Sequence, residues 1–357
     1  MFRLFVTRYL RSRFTFGTGS SPNLVHRHLK RLIKVTTNRF SLKIDMATIN
    51  LTGDGRPKAV EQLLCWSGLT AGLHGHFTFL SVLNSLLSIS AILGNGLILI
   101  AFEKESSLHA PTKLLLRSLV TTDLCVGLFS EPIAITYWMS VVNEQWNICR
   151  CALVARIITG YTLSGASLWT MTVISLDRLL ALLLGLRYRE VVTLKRTWAM
   201  VITLWVVSTA FPATWFWNPL ITLNYGFIII LMCLVTSIFS YTKIFFTLRH
   251  QRTLLQDHIQ QQNQGTPLNI ARYKKAVSSA VWLQLTLIAC YLPYCIVAVL
   301  RTRNELSPSI VNSLSYAITL VMLNSSLNPI LYCWKLEELR QEAKNIIRQV
   351  LCHFYSS

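Results

Sequence analysis

Seven long apolar runs divide this chain, each near or above the roughly 20 residues a helix needs to cross the hydrocarbon core of a bilayer. They are Phe77–Phe102, Leu114–Met139, Ala152–Leu184, Thr197–Trp217, Ile221–Phe246, Ala276–Leu300 and Ile310–Trp334. A segment crossing lipid must satisfy its own backbone polar groups, so each run is read as a helix. The expected fold is an all-α membrane protein, a seven-transmembrane helix bundle. Only 14% of the residues are charged, against about a quarter in soluble domains. No Gly/Ser linker, internal repeat or second domain breaks the pattern.

Lys and Arg near the span ends set the orientation. One side holds Lys104, Lys113, Arg117, Arg187, Arg189, Lys195, Arg196, Lys243, Arg249, Arg252, Arg272, Lys274 and Lys275, and the tail residues Lys335, Arg340, Lys344 and Arg348. The other holds Arg56, Lys58, Arg150, Arg156, Arg301 and Arg303. The first side is expected to be cytosolic, which puts the N-terminus outside and the C-terminus inside. Asn50 then lies in an outer glycosylation sequon, Asn50-Leu51-Thr52.

Residues 1–45 do not fit this topology. They carry ten Lys/Arg against Asp45 alone, a balance that resists translocation and resembles an organellar leader. The expected organisation is a basic extension (1–45), removed or upstream of a working start at Met46, then an outer segment (46–76), the bundle (77–334) and a cytosolic amphipathic helix and tail (335–357). Without the extension the net charge falls from +19 to about +10, nearly all cytosolic. The basic character thus reports membrane topology rather than nucleic-acid binding. Cys125, Cys233, Cys290 and Cys295 read as small apolar packers within spans. Cys352 follows the amphipathic stretch and is a lipidation candidate. Cys65, Cys149 and Cys151 face the oxidising side, and Cys65 has two candidate disulfide partners.

Polar groups inside a membrane are costly and tend to be functional. Here Asn95, Asp123, Ser167, Asn324, Ser325 and Asn328 fall at compatible depths in four spans, and read as one shared cluster. A carboxylate among hydroxyl and amide oxygens also suits an allosteric sodium ion; no other metal site or cofactor is indicated. In the third span Arg156, Gly160, Ser164, Ser167, Met171, Ile174 and Arg178 recur at steps of four or three and form one stripe. The last span ends Asn328-Pro329-Ile330-Leu331-Tyr332, a polar residue, a hinge and a tyrosine, as a moving helix would carry.

This constellation resembles the rhodopsin-like G-protein-coupled receptors over about Phe77 to Cys352. The matching residues are Gly94-Asn95, Leu119 with Asp123, Ser167, Ile174-Ser175-Leu176-Asp177-Arg178-Leu179, Trp205, Tyr241, Cys290-Tyr291-Leu292-Pro293, Asn324 and Asn328-Pro329-Ile330-Leu331-Tyr332. Some positions depart from the family. Leu153 stands at the usual third-helix cysteine, Cys233 at the fifth-span proline, and the link around Asn218–Thr222 is short and lacks cysteine. These departures resemble the melanocortin, lysolipid and cannabinoid branch.

The resemblance implies an extracellular ligand, a heterotrimeric G protein inside, and surrounding membrane lipids. It implies activation switches at Asp177, Arg178, Tyr241, Tyr291, Pro293, Pro329 and Tyr332, with Asp177 holding Arg178 at rest. G-protein contacts are expected at Arg178, Arg249, Arg252, Lys274 and Lys275. Tyr273 replaces the acid that many relatives carry near the inner end of the sixth helix, so ligand-independent signalling is expected. Candidate ligand residues are Glu131, Arg156, Gly160, Tyr161, Ser164, Tyr291 and Tyr294. Gly160 replaces the aspartate of amine receptors and Met322 the lysine of opsins, so neither a biogenic amine nor retinal is expected. Arg156 suits an anionic lipid head group unless it pairs with Glu131 or lipid phosphate; a peptide is the other ligand class. An enzyme is not expected, because no span carries a histidine or paired aspartates at one depth. The alternative reading is a same-fold scramblase or transporter without G-protein signalling.

Overall fold

Apolar side chains that must leave water, and backbones that cannot face lipid unpaired, produce a helical protein. Among the described residues of the computed structural model there is no strand. The described residues are 64–70, 72–104, 109–261, 268–303, 307–335 and 337–356, and they belong to one unit, Asp54–Ser357. The proposed leader, Met46 and the Asn50 sequon lie outside them. So do the side chains of Arg252, Arg272, Tyr273, Lys274 and Lys275.

Helix α1 is His74–Lys104, α2 is Ala110–Val142 and α3 is Trp146–Leu184. Helix α4 is Leu194–Ala210, continued by a 3₁₀ turn at Pro212–Phe216. Helix α5 is Pro219–Gln261, α6 is Leu268–Arg303, α7 is Pro308–Lys335 and α8 is Glu337–Ser356. Six of these are long and apolar enough to cross a membrane, and α6 adds an apolar stretch at Leu285–Arg301. Together they form the seven-transmembrane bundle, and α5 runs well past its apolar run, to Gln261. Helix α8 is strongly amphipathic. It buries Ala343 and Ile346 and packs on α1 and α7, with Lys104 Nζ donating to Gln349 Oε1 at 3.3 Å.

Two glycines set the closest approaches. A Cβ on Gly94 would meet Pro329 Cγ at 2.9 Å, so α1 can lie against the proline of α7 only with glycine there. A Cβ on Gly127 would meet Ala91 at 2.9 Å, and Ser88 Oγ donates to the Gly127 carbonyl at 2.8 Å. Gly127 belongs to a π turn, Val126–Ser130, inside α2. A turn closed by i→i+5 bonds takes up an extra residue, so every later position of α2 is rotated from its uninterrupted α-helical direction.

Gly94→Val is expected to lower stability by about 1–3 kcal/mol through overpacking. Gly96→Val, where an added Cβ meets nothing within 4 Å, is expected to cause no loss. Thermal unfolding of the purified full chain compares the two.

Candidate functional site

The stripe on α3 joins two cavities to a polar centre. The centre is Asp123, fully buried on α2. Ser167 Oγ of α3 donates to its Oδ1 at 3.0 Å and Ser325 Oγ of α7 to the same oxygen at 2.8 Å. Asn328 Nδ2 of α7 donates to Oδ2 at 2.6 Å. One carboxylate therefore ties three helices. Two expected members stand apart from it. Asn95 Nδ2 donates to the Ala91 and Ser325 carbonyls, so it joins the centre through the α7 backbone. Asn324 Nδ2 instead reaches Met171 Sδ at 3.6 Å. The side-chain oxygens of Asn95, Asn324 and Asn328 are buried without hydrogen-bond partners. The Asp123 carboxylate, the Ser167 and Ser325 hydroxyl oxygens and the unused Asn328 oxygen form the kind of donor set that fits a hard monovalent cation.

Toward the disulfide end lies a cavity of about 1170 Å³ including its open mouth. Arg156, Gly160, Tyr161, Ser164, Tyr291 and Tyr294 line it, as does Met322. The sequence had singled out the first six as ligand residues. Arg301 of α6 also lines it, and sequence reasoning missed this residue because an arginine at a span end reads as an interface anchor. Tyr161 and Tyr294 share a hydrogen bond between their hydroxyls at 2.8 Å. Gly226 of α5 makes room for the Tyr161 ring. The remaining wall is mostly apolar and aromatic, and no carboxylate lines it among the described residues.

Glu131 does not belong to this wall. It is fully buried as the first residue after the π turn, and neither carboxylate oxygen has a hydrogen-bond partner. The rotation imposed by that turn was not visible in the sequence. Arg156 does not pair with Glu131; its guanidinium stacks on the Tyr137 ring at 4.6 Å. The disulfide joins Cys65 to Cys149, while Cys151 is free and exposed. Two positions apart on a helix point about 200° apart, and only Cys149 faces the core. The bond places Cys65 beside Leu64, which lines the cavity.

At the opposite end, Tyr241 of α5 and Tyr332 of α7 line one small pocket with Met171, Ile174 and Leu287. Asp177 does not hold Arg178: no ion pair joins them among the described residues, and Arg178 is exposed. Asp177 is taken by two other donors. Tyr188 Oη donates to Oδ1 at 2.6 Å and Thr112 Oγ1 to Oδ2 at 3.3 Å. Burial, with the bond to Asp177, pushes the Tyr188 hydroxyl up to about 12, so it stays a donor at neutral pH. Pro293 and Pro329 lie inside α6 and α7. Arg249 is exposed on α5, and Cys352 is exposed and free on α8.

Cys65→Ser and Cys149→Ser are each expected to cost about 4 kcal/mol, from the loop-closure entropy of a long loop. Cys151→Ser is expected to be silent. Thermal unfolding, together with counting the thiols that alkylate in the native protein, checks both.

A family profile described as 7 transmembrane receptor (rhodopsin family) matches residues 94–217 and 208–332. Adenosine receptor A2b of Gallus gallus is 26% identical over 311 residues, covering 76% of this chain and 88% of that receptor. Adenosine receptor A3 of Bos taurus is 27% identical over 304 residues, covering 77% and 91%. Melanocortin receptor 5 of Rattus norvegicus is 22% identical over 281 residues, covering 75% and 82%. With the seven-helix bundle, the Asp123 centre and the two cavities in place, these matches show that the chain belongs to the rhodopsin family of seven-transmembrane receptors, multi-pass membrane proteins that bind a ligand, couple to G proteins and are not enzymes.

Proposed function

We propose that this receptor sits in the plasma membrane with its disulfide end outside, and that its ligand is an anionic amphiphile. The observation that carries the ligand reading is the charge of the cavity. Arg156 and Arg301 both line it, no carboxylate does among the described residues, and the wall is otherwise largely apolar and aromatic. Guanidinium groups recognise carboxylates and phosphates with paired hydrogen bonds. An apolar wall selects an apolar body. The Tyr161–Tyr294 hydroxyl pair supplies neutral donors to the same head group. The names of the relatives point to different ligands, adenosine and melanocortins, so similarity does not choose among ligands and the lining must.

The relay follows from the packing. A ligand that favours one arrangement of α6 and α7 shifts the population of that arrangement. Tyr291 carries cavity contacts into the buried core beside Pro293. Asp123, Ser167, Ser325 and Asn328 hold α7 to α2 and α3, and a sodium ion on Asp123 would add to this clamp. Tyr241, Tyr332 and Arg178 lie at the inner end, where a heterotrimeric G protein docks; its proposed contacts are Arg249, which is exposed, and Arg252, Lys274 and Lys275, by their charge in the sequence. Asp177 is already engaged by Tyr188 and Thr112, so it places little restraint on Arg178. This supports signalling without ligand.

Binding of an oleoyl lysophosphatidate to the full chain in nanodiscs tests the head-group site. Arg156→Ala and Arg301→Ala are each expected to weaken it by roughly tenfold to a hundredfold, since a hydrogen bond to a charged group contributes about 1.5–3 kcal/mol. A neutral oleoyl monoacylglycerol is expected to be insensitive to both. Wild-type affinity in both variants would remove the anionic-ligand reading.

A further inference from the structure

The cavity is not confined to the axis of the bundle. Its wall includes Gly165 and Trp169 of α3, Val207 and Ser208 of α4, and Ile229 and Ile230 of α5. These residues of α3, α4 and α5 form one part of the cavity wall, the α4–α5 branch. Val207 lines this branch and is also 42% exposed on the outer face of the bundle. One side chain thus borders both the cavity and the lipid. Helices α4 and α5 each pack along α3 and against the Pro212–Phe216 turn, but not appreciably along one another. The α4–α5 seam is therefore not sealed by direct helix packing.

Besides the Trp169 indole, the described wall of the branch carries one polar side chain. Ser208 is 5% exposed, lines the branch, and its Oγ has no hydrogen-bond partner. Gly165 lies opposite, where an added Cβ would stand 3.8 Å from Ser208 Oγ. A glycine at this point leaves room beside Ser208, and an unpartnered hydroxyl in a largely apolar wall has a place for one ester or carbonyl oxygen. The chemistry suits a single acyl chain. It does not suit a polar ligand arriving from water, because Val207 at its edge is exposed on the lipid-facing side of α4.

We infer that the α4–α5 opening is a side entrance, through which the acyl chain of an amphiphile dissolved in the bilayer enters the ligand cavity. This deepens the proposed function by assigning the ligand's route and the seat of its tail. It rests on the ligand being an amphiphile, but not on the charge of its head. The chain slides between α4 and α5 past Val207 and lies along Gly165, Ser208 and Ile229. The head group then reaches the arginines from within the membrane.

The test is photocrosslinking of the full chain in nanodiscs with two probes, an oleoyl lysophosphatidate and a neutral oleoyl monoacylglycerol, each with a diazirine at the chain terminus. Labelled residues are mapped by mass spectrometry. The expected result is labelling within 165–169, 207–211 and 229–230, competed by unlabelled lipid. Val207→Trp, which fills the mouth from its lipid side, is expected to abolish most of that labelling, and Val206→Trp to leave it intact. Labelling confined to the lipid-facing residues Trp198, Ile202 and Val206 in the wild type would overturn the inference, whether or not the variants fold. So would unchanged branch labelling in a folded Val207→Trp receptor. Failure of the anionic head-group reading has a different signature: both probes label the branch equally, and Arg156→Ala and Arg301→Ala change neither.

Discussion

The Asp123 carboxylate is the constraint on which the bundle's organisation depends. A charge-bearing group placed among apolar helices is stabilised by surrounding donors, because an unpaired polar group in hydrocarbon costs several kcal/mol. Ser167, Ser325 and Asn328 meet that demand, and in doing so fix the rotation and depth of α3 and α7 against α2. Gly94 then lets α1 close on Pro329, and Asn95 holds the α7 backbone beside it. The same interactions that specify the packing place Pro329 and Tyr332 where a change in α7 is felt at the opposite end.

This arrangement separates two tasks along one helix. On α3, the disulfide-end part of the stripe lines the cavity, Ser167 in the middle reaches Asp123 and Met171 meets Asn324, and Met171 and Ile174 border the pocket of Tyr241 and Tyr332. A cavity ligand and an inner partner therefore act on opposite sides of a single packed joint. The joint has few solutions because buried donors and acceptors must be matched in each. Matching in only two arrangements would give a switch rather than a continuum.

Much of this was legible in the sequence, and the rest failed for identifiable reasons. The seven spans were visible because hydrophobic length is a strong signal. The partnership of Ser167, Ser325 and Asn328 with Asp123 was visible because polar residues in lipid must find one another. Asn324 broke that rule only in detail, by taking the Met171 sulfur. Glu131 was misplaced because a π turn rotates everything after it, and nothing in Val126–Ser130 announces one. Arg301 was overlooked because its position at a span end has an ordinary explanation. The Asp177–Tyr188 bond depends on how a short connecting segment folds back, which adjacency in sequence does not reveal. It replaced the expected Asp177–Arg178 pair because a hydroxyl directed at a carboxylate needs no long side chain held in place.

The central claim is that the Asp123 centre governs how readily the receptor adopts its signalling arrangement. The direct measurement is ligand-free nucleotide exchange on a heterotrimeric G protein by the full chain in nanodiscs, with sodium replaced by choline at constant ionic strength. The account predicts slower exchange in sodium for the wild type and no sodium dependence for Asp123→Asn. Exchange that ignores sodium in the wild type, or responds equally in Asp123→Asn, would contradict it.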